Sequence, residues 1–301
     1  MTVSANLHTS IPRARDMLEL IKPVTWFPPM WAYLCGIVSV GISPLEAWPL
    51  VILGVLLAGP VVCGMSQAAN DWCDRHVDAI NEPQRPIPSG RIPARWGLGI
   101  ALAMSVLALV LGWQLGPWGF GATVVAVIAA WAYSVEPVRL KRSGWLGPGV
   151  VALCYEGLPW FTGAAVLAAG APRFEIVVIA GLYAFGAHGI MTINDFKALE
   201  GDRATGVRSL PAVHGPAIAA TIACTVMTMA QILVICLLVI WGQPWHALVI
   251  AVLLAVQFWA MRRWMADPAG RAPWYTGAGV GPYVLGMMVA AVALRDIGVA
   301  G

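Results

Sequence analysis

The stretch NDWCDRHVD, residues 70–78, ends a long apolar run and carries three carboxylates, at Asp71, Asp74 and Asp78. If one helix continues through it, these side chains point to within about 60° of one another. Carboxylates placed in this way repel unless a cation bridges them, and hard oxygen ligands favour Mg²⁺ or Ca²⁺. A solvated helix end is the alternative, but three acids on one face at membrane depth favour a functional site for a phosphate-bearing ligand.

The composition around this stretch is that of a membrane protein. Of the 301 residues, 59% are hydrophobic and 11% are charged, whereas about a quarter of residues are charged in soluble domains. Such a chain predicts an all-α integral membrane protein. Nine apolar runs are long enough to cross about 30 Å of hydrocarbon, and they begin near Thr25, Trp48, Trp96, Trp118, Leu146, Ile176, Pro216, Trp245 and Gly277.

The basic residues support nine transmembrane helices with a cytoplasmic amino terminus. With that topology, only Arg173 and Arg295 of the 18 basic residues fall outside the cell. An excess of Lys and Arg in cytoplasmic loops is the signature of inserted membrane proteins. The net charge of +3 therefore reflects topology and gives no indication of nucleic-acid binding.

A second stretch repeats the first. NDFKALEGDR, residues 194–203, ends the predicted sixth helix with another Asn-Asp pair and a further Asp seven residues later. The spacing of the copies predicts two related halves. In a continuous helix Asp195 and Asp202 share a face, whereas Glu200 points about 140° away from Asp195. We therefore predict Asp195 and Asp202 as ligands, ahead of Glu200.

Two acidic clusters that face one cavity would hold a pair of Mg²⁺ ions on a diphosphate. Fixed cations neutralise the charge that develops on a departing oxygen, and electrostatics of this kind is commonly the largest catalytic term. Basic residues on the same side should complete the site, although positive-inside topology also explains each of them. The predicted diphosphate-binding residues are Arg85, Arg139, Lys141, Lys197, Arg203 and Arg208.

These residues resemble the UbiA-type intramembrane prenyltransferases, which carry N-D-x-x-D-x-x-x-D on helix two and a second Asp-rich motif on helix six. The second motif here departs from the usual D-x-x-x-D spacing, with Leu199 at the expected ligand position. The resemblance implies one polytopic domain over residues 1–301, with 1–23 as a cytoplasmic or interfacial segment and nine helices around a laterally open cavity. It also implies Mg²⁺ bound by Asn70, Asp71, Asp74, Asp78, Asp195 and Asp202, the acids being catalytic, with Asn194 in a supporting role.

Within this family, the strings NDWCDRHVDAINEPQRPIPSGRIP (70–93) and NDFKALEGDRATGVRSLP (194–211) are similar to those of the branch that esterifies chlorins. The resemblance implies that the 17-propionate of bacteriochlorophyllide attacks C1 of geranylgeranyl or phytyl diphosphate and releases diphosphate. It implies a bacterial inner or photosynthetic membrane, where other pigment-biosynthesis or photosystem assembly proteins are potential partners.

For the acceptor, the sequence predicts fewer specific features than for the metal and diphosphate. The candidate residues are His76, Tyr155, Glu156 and His188. His188 could instead hydrogen-bond a neighbouring helix, and a solvated side chain is the default for His76. Because Glu156 is an acid within a span, it needs a partner, for which Lys141 and Arg142 are the candidates.

Two alternative functions remain open on the sequence. The same fold could prenylate another acceptor, such as chlorophyllide, 4-hydroxybenzoate, naphthoate, homogentisate or haem. A secondary transporter could also carry internal repeats and intramembrane acids. A transporter's acids should lie in the middle of the spans, whereas these lie at cytoplasmic helix ends.

Overall fold

The structure is a computed structural model that describes residues 11–300, apart from the side chains of Pro44, Thr205, Val299 and Ala300. We number its α-helices in chain order. They are α1 (Ala14–Ile21), α2 (Phe27–Ser39), α3 (Trp48–Leu56), α4 (Gly64–Asn81), α5 (Ala94–Trp113), α6 (Gly116–Ser134), α7 (Leu146–Ala152), α8 (Leu158–Leu167), α9 (Phe174–Asp195), α10 (Leu199–Thr205), α11 (Leu210–His214), α12 (Pro216–Ile240), α13 (Pro244–Met265), α14 (Pro268–Ala278) and α15 (Val280–Ala300).

Two π-helical segments join neighbouring helices into longer spans. Leu57–Cys63 connects α3 to α4, and Leu153–Gly157 connects α7 to α8. Pro60 lies inside the first segment and has no N–H to donate to a helical hydrogen bond, which accounts for the irregularity there. π-helical segments of this kind are frequent at functional sites, and both of these border the cavity described below.

Within residues 11–300, eight helical segments are long and apolar enough to cross a membrane. They are Leu45–Asn81, Ala94–Trp113, Gly116–Ser134, Leu146–Leu167, Phe174–Asp195, Pro216–Ile240, Pro244–Met265 and Pro268–Gly298. The first predicted span corresponds to α2, whose 13 residues rise only about 20 Å. The all-helical membrane fold is thus confirmed, and the predicted number of nine spans is approximate.

The packing of α2 against α8 brings two backbones into direct contact. A Cβ atom added at Gly36 would lie 2.1 Å from the carbonyl oxygen of Trp160, and one at Gly163 would lie 2.2 Å from that of Tyr33. Small residues allow such close approach between membrane helices. The buried Trp160 indole of α8 donates a hydrogen bond of 3.0 Å to the Ser39 hydroxyl of α2, and its ring stacks on Tyr183 of α9 with the ring centroids 5.6 Å apart, within the largest buried cluster.

Basic residues are unevenly distributed between the two ends of the helix bundle. At the end opposite the acidic motifs, Arg173 donates a hydrogen bond of 2.6 Å to the carbonyl of Leu294. Most of the remaining basic side chains lie on the segments that precede α2 and follow α4, α6 and α9. This division agrees with the predicted asymmetry of charge.

The predicted amino-terminal segment, 1–23, lies within the described residues only from residue 11 onward. Its helix α1 packs on the protein through Leu20, which is fully buried against Ala68, Ala69 and Ile92, whereas Leu18 is exposed. The helix therefore lies against α4, directly beside the first acidic motif.

Candidate active site

One cavity of about 360 Å³ receives residues from both acidic motifs. Asn70 of the first motif and Asn194 of the second both line it, together with Tyr133 near the end of α6. Away from these polar side chains the wall is mostly apolar, and its members include Pro29, Ala58, Val62, Ala126, Ala129, Ala130, Val150, Val151 and Met191. The structure thus brings Asn70 and Asn194, from two motifs that are distant in the chain, to one cavity, whereas the acids of these motifs are not among its lining residues.

The first motif lies within one unbroken helix, as predicted. Helix α4 continues through it to Asn81 and ends before Pro83, because a residue that precedes proline disfavours the helical conformation. Asp71 is fully buried and Asp78 is 7% exposed, while the Asp74 side chain is 16% exposed. Buried carboxylates require partners.

Cations from three separate segments supply those partners. Oδ1 of Asp71 lies 2.7 Å from Nζ of Lys22 and 3.4 Å from Nη1 of Arg85. The same Arg85 nitrogen lies 2.9 Å from Oδ2 of Asp78.

Asp74 has two cationic partners of its own, both from the loop that follows α6. It pairs with Arg139 at 2.9 Å and with Lys141. Burial lowers the pKa of Lys141, and the charge of Asp74 acts in the opposite direction. The acids of the first motif are therefore neutralised by protein cations rather than left to repel one another.

Three of the six predicted diphosphate-binding residues are among these cations, namely Arg85, Arg139 and Lys141. Lys22 is a fourth, which sequence reasoning missed, because a lysine before the first span was fully explained by topology. The backbone offers a further signal at Lys22 and Arg139, which adopt left-handed φ angles of 45° and 36°. This conformation is unfavourable for side chains other than glycine and is concentrated at functional sites.

The second motif is arranged differently from the first. Helix α9 ends at Asp195 and α10 begins at Leu199, so the expectation that Asp195 and Asp202 share the face of one helix is wrong. The two acids still interact electrostatically. Glu200 is exposed.

Helix α10 also approaches the end of α4. A Cβ atom at Gly201 would lie 3.8 Å from Nδ2 of Asn81. Burial raises the pKa of the Asp202 carboxyl, and the Ser209 hydroxyl acts in the opposite direction. Asp202 therefore lies in a partly desolvated position close to the helix that carries the first motif.

Tyr133 lies between the two motifs and was also missed from the sequence. Its phenol lines the cavity and is within electrostatic range of Asp74, Asp195 and Asp202. A single tyrosine near a helix end is typical of the membrane interface, so the sequence carried no specific signal for it.

The other predicted diphosphate-binding residues, Lys197, Arg203 and Arg208, have exposed side chains. The Arg208 backbone has a separate role, because its N–H donates to Arg142 at 3.0 Å and its carbonyl accepts from Gly144 at 2.9 Å. These bonds join the segment after the second motif to the loop that supplies cations to the first. The structure therefore connects the two motifs through backbone as well as through the cavity.

The acceptor candidates occupy four different environments. Tyr155 lines the cavity, and its hydroxyl accepts a hydrogen bond of 3.3 Å from Gln67. His188 contacts the carbonyl of Trp145 at 3.2 Å, which is the interhelical hydrogen bond considered as the alternative. His76 is exposed.

Glu156 does not have the partners that we predicted. It is buried at 3% exposure, but Lys141 pairs with Asp74 and Arg142 pairs with Glu136. Both cations are paired with other acids, at the end of the bundle that carries the acidic motifs. Oε2 of Glu156 has no hydrogen-bond partner among the described residues.

The donor set of the two motifs suits a hard divalent cation. Oδ2 of Asp71 is buried and has no partner among residues 11–300, so one carboxylate oxygen is available while the other is paired. In the same part of the chain, no three acidic, His or Cys side chains are grouped closely enough to hold a metal. The carboxylate and amide oxygens fit Mg²⁺ by type, and the present partners of Asp71, Asp74 and Asp78 are the cationic side chains of Lys and Arg.

Comparison with known proteins gives concordant results. The model of the UbiA prenyltransferase family matches residues 26–278. The chain is 73% identical over 298 residues to the bacteriochlorophyll synthase 33 kDa chain of Cereibacter sphaeroides, covering 99% of each chain. It is 69% identical over 289 residues to the protein of that name from Rhodobacter capsulatus, covering 95% of each.

The fold is also similar to a solved structure. A UbiA homolog from Archaeoglobus fulgidus bound to GPP and Mg²⁺ aligns with a TM-score of 0.65, over 95% of this chain and 98% of that one. The sequence identity is 21%, so this likeness concerns the fold.

Proposed function

The chain belongs to the UbiA prenyltransferase family, and from this premise we propose that it is a bacteriochlorophyll synthase. The reaction esterifies the 17-propionate of bacteriochlorophyllide with the prenyl group of geranylgeranyl or phytyl diphosphate and releases diphosphate. The observation that supports this acceptor is the identity to two bacteriochlorophyll synthase chains over nearly their whole length. The position of Asn70 and Asn194, one from each motif, on the wall of one cavity supports the prenyl diphosphate as donor.

In this proposal the oxygens of both motifs would hold the metal and so locate the diphosphate. The residues that would hold Mg²⁺ are Asn70, Asp71, Asp74, Asp78, Asp195 and Asp202, with Asn194 beside them. When bound, Mg²⁺ supplies positive charge that stabilises the departing diphosphate. The available oxygen of Asp71 makes it the leading ligand.

The basic residues complete the diphosphate site. Arg85, Arg139 and Lys141 already lie beside the acids. Once a metal ion replaces them as the partner of these acids, each can donate hydrogen bonds to phosphate oxygens instead. Lys197, Arg203 and Arg208 are proposed at the outer edge, where their exposed side chains can meet an entering diphosphate.

The cavity orients the two substrates and excludes water. Its apolar wall suits the prenyl chain, and C1 of that chain is proposed to lie near Tyr133. A propionate is already ionised at neutral pH, so the attack requires no strong general base. Tyr155, on the cavity wall, is proposed to contact the acceptor, and His76, Glu156 and His188 remain weaker candidates.

The chain is a multi-pass membrane protein, and we propose the bacterial inner membrane, including its photosynthetic invaginations, as its location. The cytoplasmic position of the amino terminus is supported by the charge asymmetry. We further propose that residues 1–301 form one domain and that the pigment product is passed to other pigment-biosynthesis or photosystem assembly proteins.

An acceptor comparison tests the proposed function directly. Purified protein supplied with Mg²⁺ and geranylgeranyl diphosphate should esterify bacteriochlorophyllide, which liquid chromatography separates by its increased retention. Chlorophyllide, 4-hydroxybenzoate, naphthoate, homogentisate and haem serve as competing acceptors. Turnover of one of these with no esterified bacteriochlorophyllide would assign the fold to a different acceptor.

Removal of divalent metal tests the proposed cofactor. Treatment with a chelator should abolish prenyl transfer, because positive charge at the leaving group contributes several kcal/mol to such reactions. Added Mg²⁺ should restore activity, whereas an equal concentration of Ca²⁺, which prefers larger and more flexible sites, should restore less. Undiminished turnover in the chelated protein would contradict a metal-dependent reaction.

A further inference from the structure

The segment that delivers Lys22 to the acidic motif is held from outside the site. Arg91, on the loop between α4 and α5, contacts Asp16 at 2.7 Å and Glu19 at 2.6 Å. A second guanidinium nitrogen bonds Glu19 at 2.6 Å and the carbonyl of Gln84 at 2.7 Å. We call residues 14–22 the amino-terminal strap and Asp16, Glu19 and Arg91 the Arg91 cluster.

The strap is positioned by packing as well as by charge. Leu20 is fully buried against α4 and the loop that follows it. The chain that leaves the strap is also held, because the Trp26 indole donates to the carbonyl of Ile21 at 2.9 Å and the Thr25 hydroxyl donates to that of Lys22 at 2.8 Å. These contacts maintain the left-handed φ of 45° at Lys22.

The consequence of this arrangement is that one ammonium group lies beside Asp71, a proposed metal ligand. Nζ of Lys22 lies 2.7 Å from Oδ1 of Asp71, while Oδ2 of the same carboxylate has no partner among the described residues. The Lys22 side chain is 26% exposed, so it has room to move without unfolding the strap. A flexible lysine stem allows its charge to be moved over several ångströms.

We propose that Lys22 is an exchangeable counter-cation of Asp71 and that the Arg91 cluster is its positioning device. In the empty protein Lys22 neutralises the buried acid. When metal and diphosphate enter together, Lys22 leaves Asp71 and pairs with the diphosphate, so the total charge at the site changes little. This inference rests on the proposed function for the diphosphate, but not on the identity of the acceptor.

The exchange is tested first without either substrate. Binding of Mn²⁺, used as a paramagnetic probe for Mg²⁺, is measured by electron paramagnetic resonance on purified protein in detergent. Lys22→Gln should bind Mn²⁺ about tenfold more tightly than the unmodified protein, because the competing cation has been removed. The same variant should show a raised KM for prenyl diphosphate, because a diphosphate partner has been lost.

A matched control separates local competition from a general change of charge. Arg75→Gln removes one positive charge from α4 itself, yet Arg75 bonds the carbonyl of Trp72 and covers its ring rather than meeting an acid. It should change Mn²⁺ affinity far less than Lys22→Gln does. Equal effects of the two variants on Mn²⁺ affinity, or no Mn²⁺ binding to Lys22→Gln, would overturn the exchange.

A second pair of variants tests the positioning. Arg91→Ala should reproduce the tighter Mn²⁺ binding and raised KM of Lys22→Gln, with a smaller change in kcat, and Arg91→Lys should restore part of the effect. Arg15→Ala, which removes an exposed charge from the same helix, is the control. If Arg91→Ala lowers Tm but leaves Mn²⁺ affinity and KM unchanged, the Arg91 cluster is structural and the positioning role is refuted.

These outcomes are distinguishable from failure of the proposed function. Mn²⁺ binding is read with no acceptor present, so a protein that does not esterify bacteriochlorophyllide can still show the shift caused by Lys22→Gln. The opposite result, an active bacteriochlorophyll synthase in which Lys22→Gln leaves metal binding unchanged, would refute the exchange alone.

Discussion

Asp71→Asn should abolish prenyl transfer, with a loss of about a thousandfold or more in kcat/KM. Asp71 is the most deeply buried acid of the first motif, and its Oδ2 has no partner in the described residues. Asparagine has nearly the same shape as aspartate but no charge, so it weakens a metal site without leaving a cavity. Removal of a pre-placed electrostatic group commonly reduces turnover by a factor of about 10²–10³, and loss of a shared metal ligand should exceed this.

The variant should remain folded, which makes the loss interpretable. The Lys22 and Arg85 side chains that meet Asp71 are 26% and 27% exposed, so both charges can be solvated when their partner becomes neutral. Activity, Mn²⁺ binding and thermal unfolding should be measured on the same preparation.

The matched control is Asp296→Asn. This change neutralises an acid in an exposed ion pair with Arg295, at the opposite end of the molecule. It should leave all three measurements unchanged. Full activity of Asp71→Asn would be incompatible with a metal site built on the first motif.

The second large effect is expected on stability. Gly36→Ala should prevent correct folding, because its Cβ would lie 2.1 Å from the carbonyl oxygen of Trp160 and 2.9 Å from the amide nitrogen of Ala164. Both atoms are backbone, so no side chain can rotate away and α2 must separate from α8. Overpacking costs about 1–3 kcal/mol where side chains can adjust, and we expect a cost at or above the upper end of that range.

Separation of α2 from α8 should also distort the cavity. Pro29 of α2 lines it, and Cys154 and Tyr155 lie in the segment that leads into α8. Gly36→Ala should therefore give a low yield of monodisperse protein in detergent, a lower Tm and little prenyl transfer.

Gly121→Ala provides the control for this prediction. A Cβ atom at Gly121, within α6, would meet nothing within 4 Å, and alanine favours helix over glycine by about 1 kcal/mol. This variant should match or exceed the stability of the unmodified protein. If Gly36→Ala unfolds at the same temperature as Gly121→Ala, the close contact between α2 and α8 is not required for folding.

Much of the site could be predicted because its signals are local in the chain. The run from Gly64 to Asn81 contains no proline and no internal glycine, so a continuous helix through Asp71, Asp74 and Asp78 followed from residue order alone. Hydropathy and the distribution of Lys and Arg place helix ends with respect to a membrane, since insertion depends on segment composition. Both Asn-Asp pairs were thereby predicted at the same end of the bundle.

The second motif shows where local reasoning failed. A helix continued beyond Asp195 would have aligned it with Asp202, but the chain turns at residues 196–198 before α10 begins. No proline or glycine marks that turn. The break is made by packing, with the Phe196 ring buried against Trp264 of α13 at 5.4 Å.

The sequence by itself determined a helical membrane protein with two acidic motifs at one face, because spacing and hydropathy are properties of neighbouring residues. Only the tertiary structure decided which cation meets which acid: Arg139 and Lys141 at Asp74, and Lys22 at Asp71. Glu156 was left without the cation expected for it. An ion pair forms between side chains that the fold brings within a few ångströms, and that distance depends on helix packing rather than on separation along the chain.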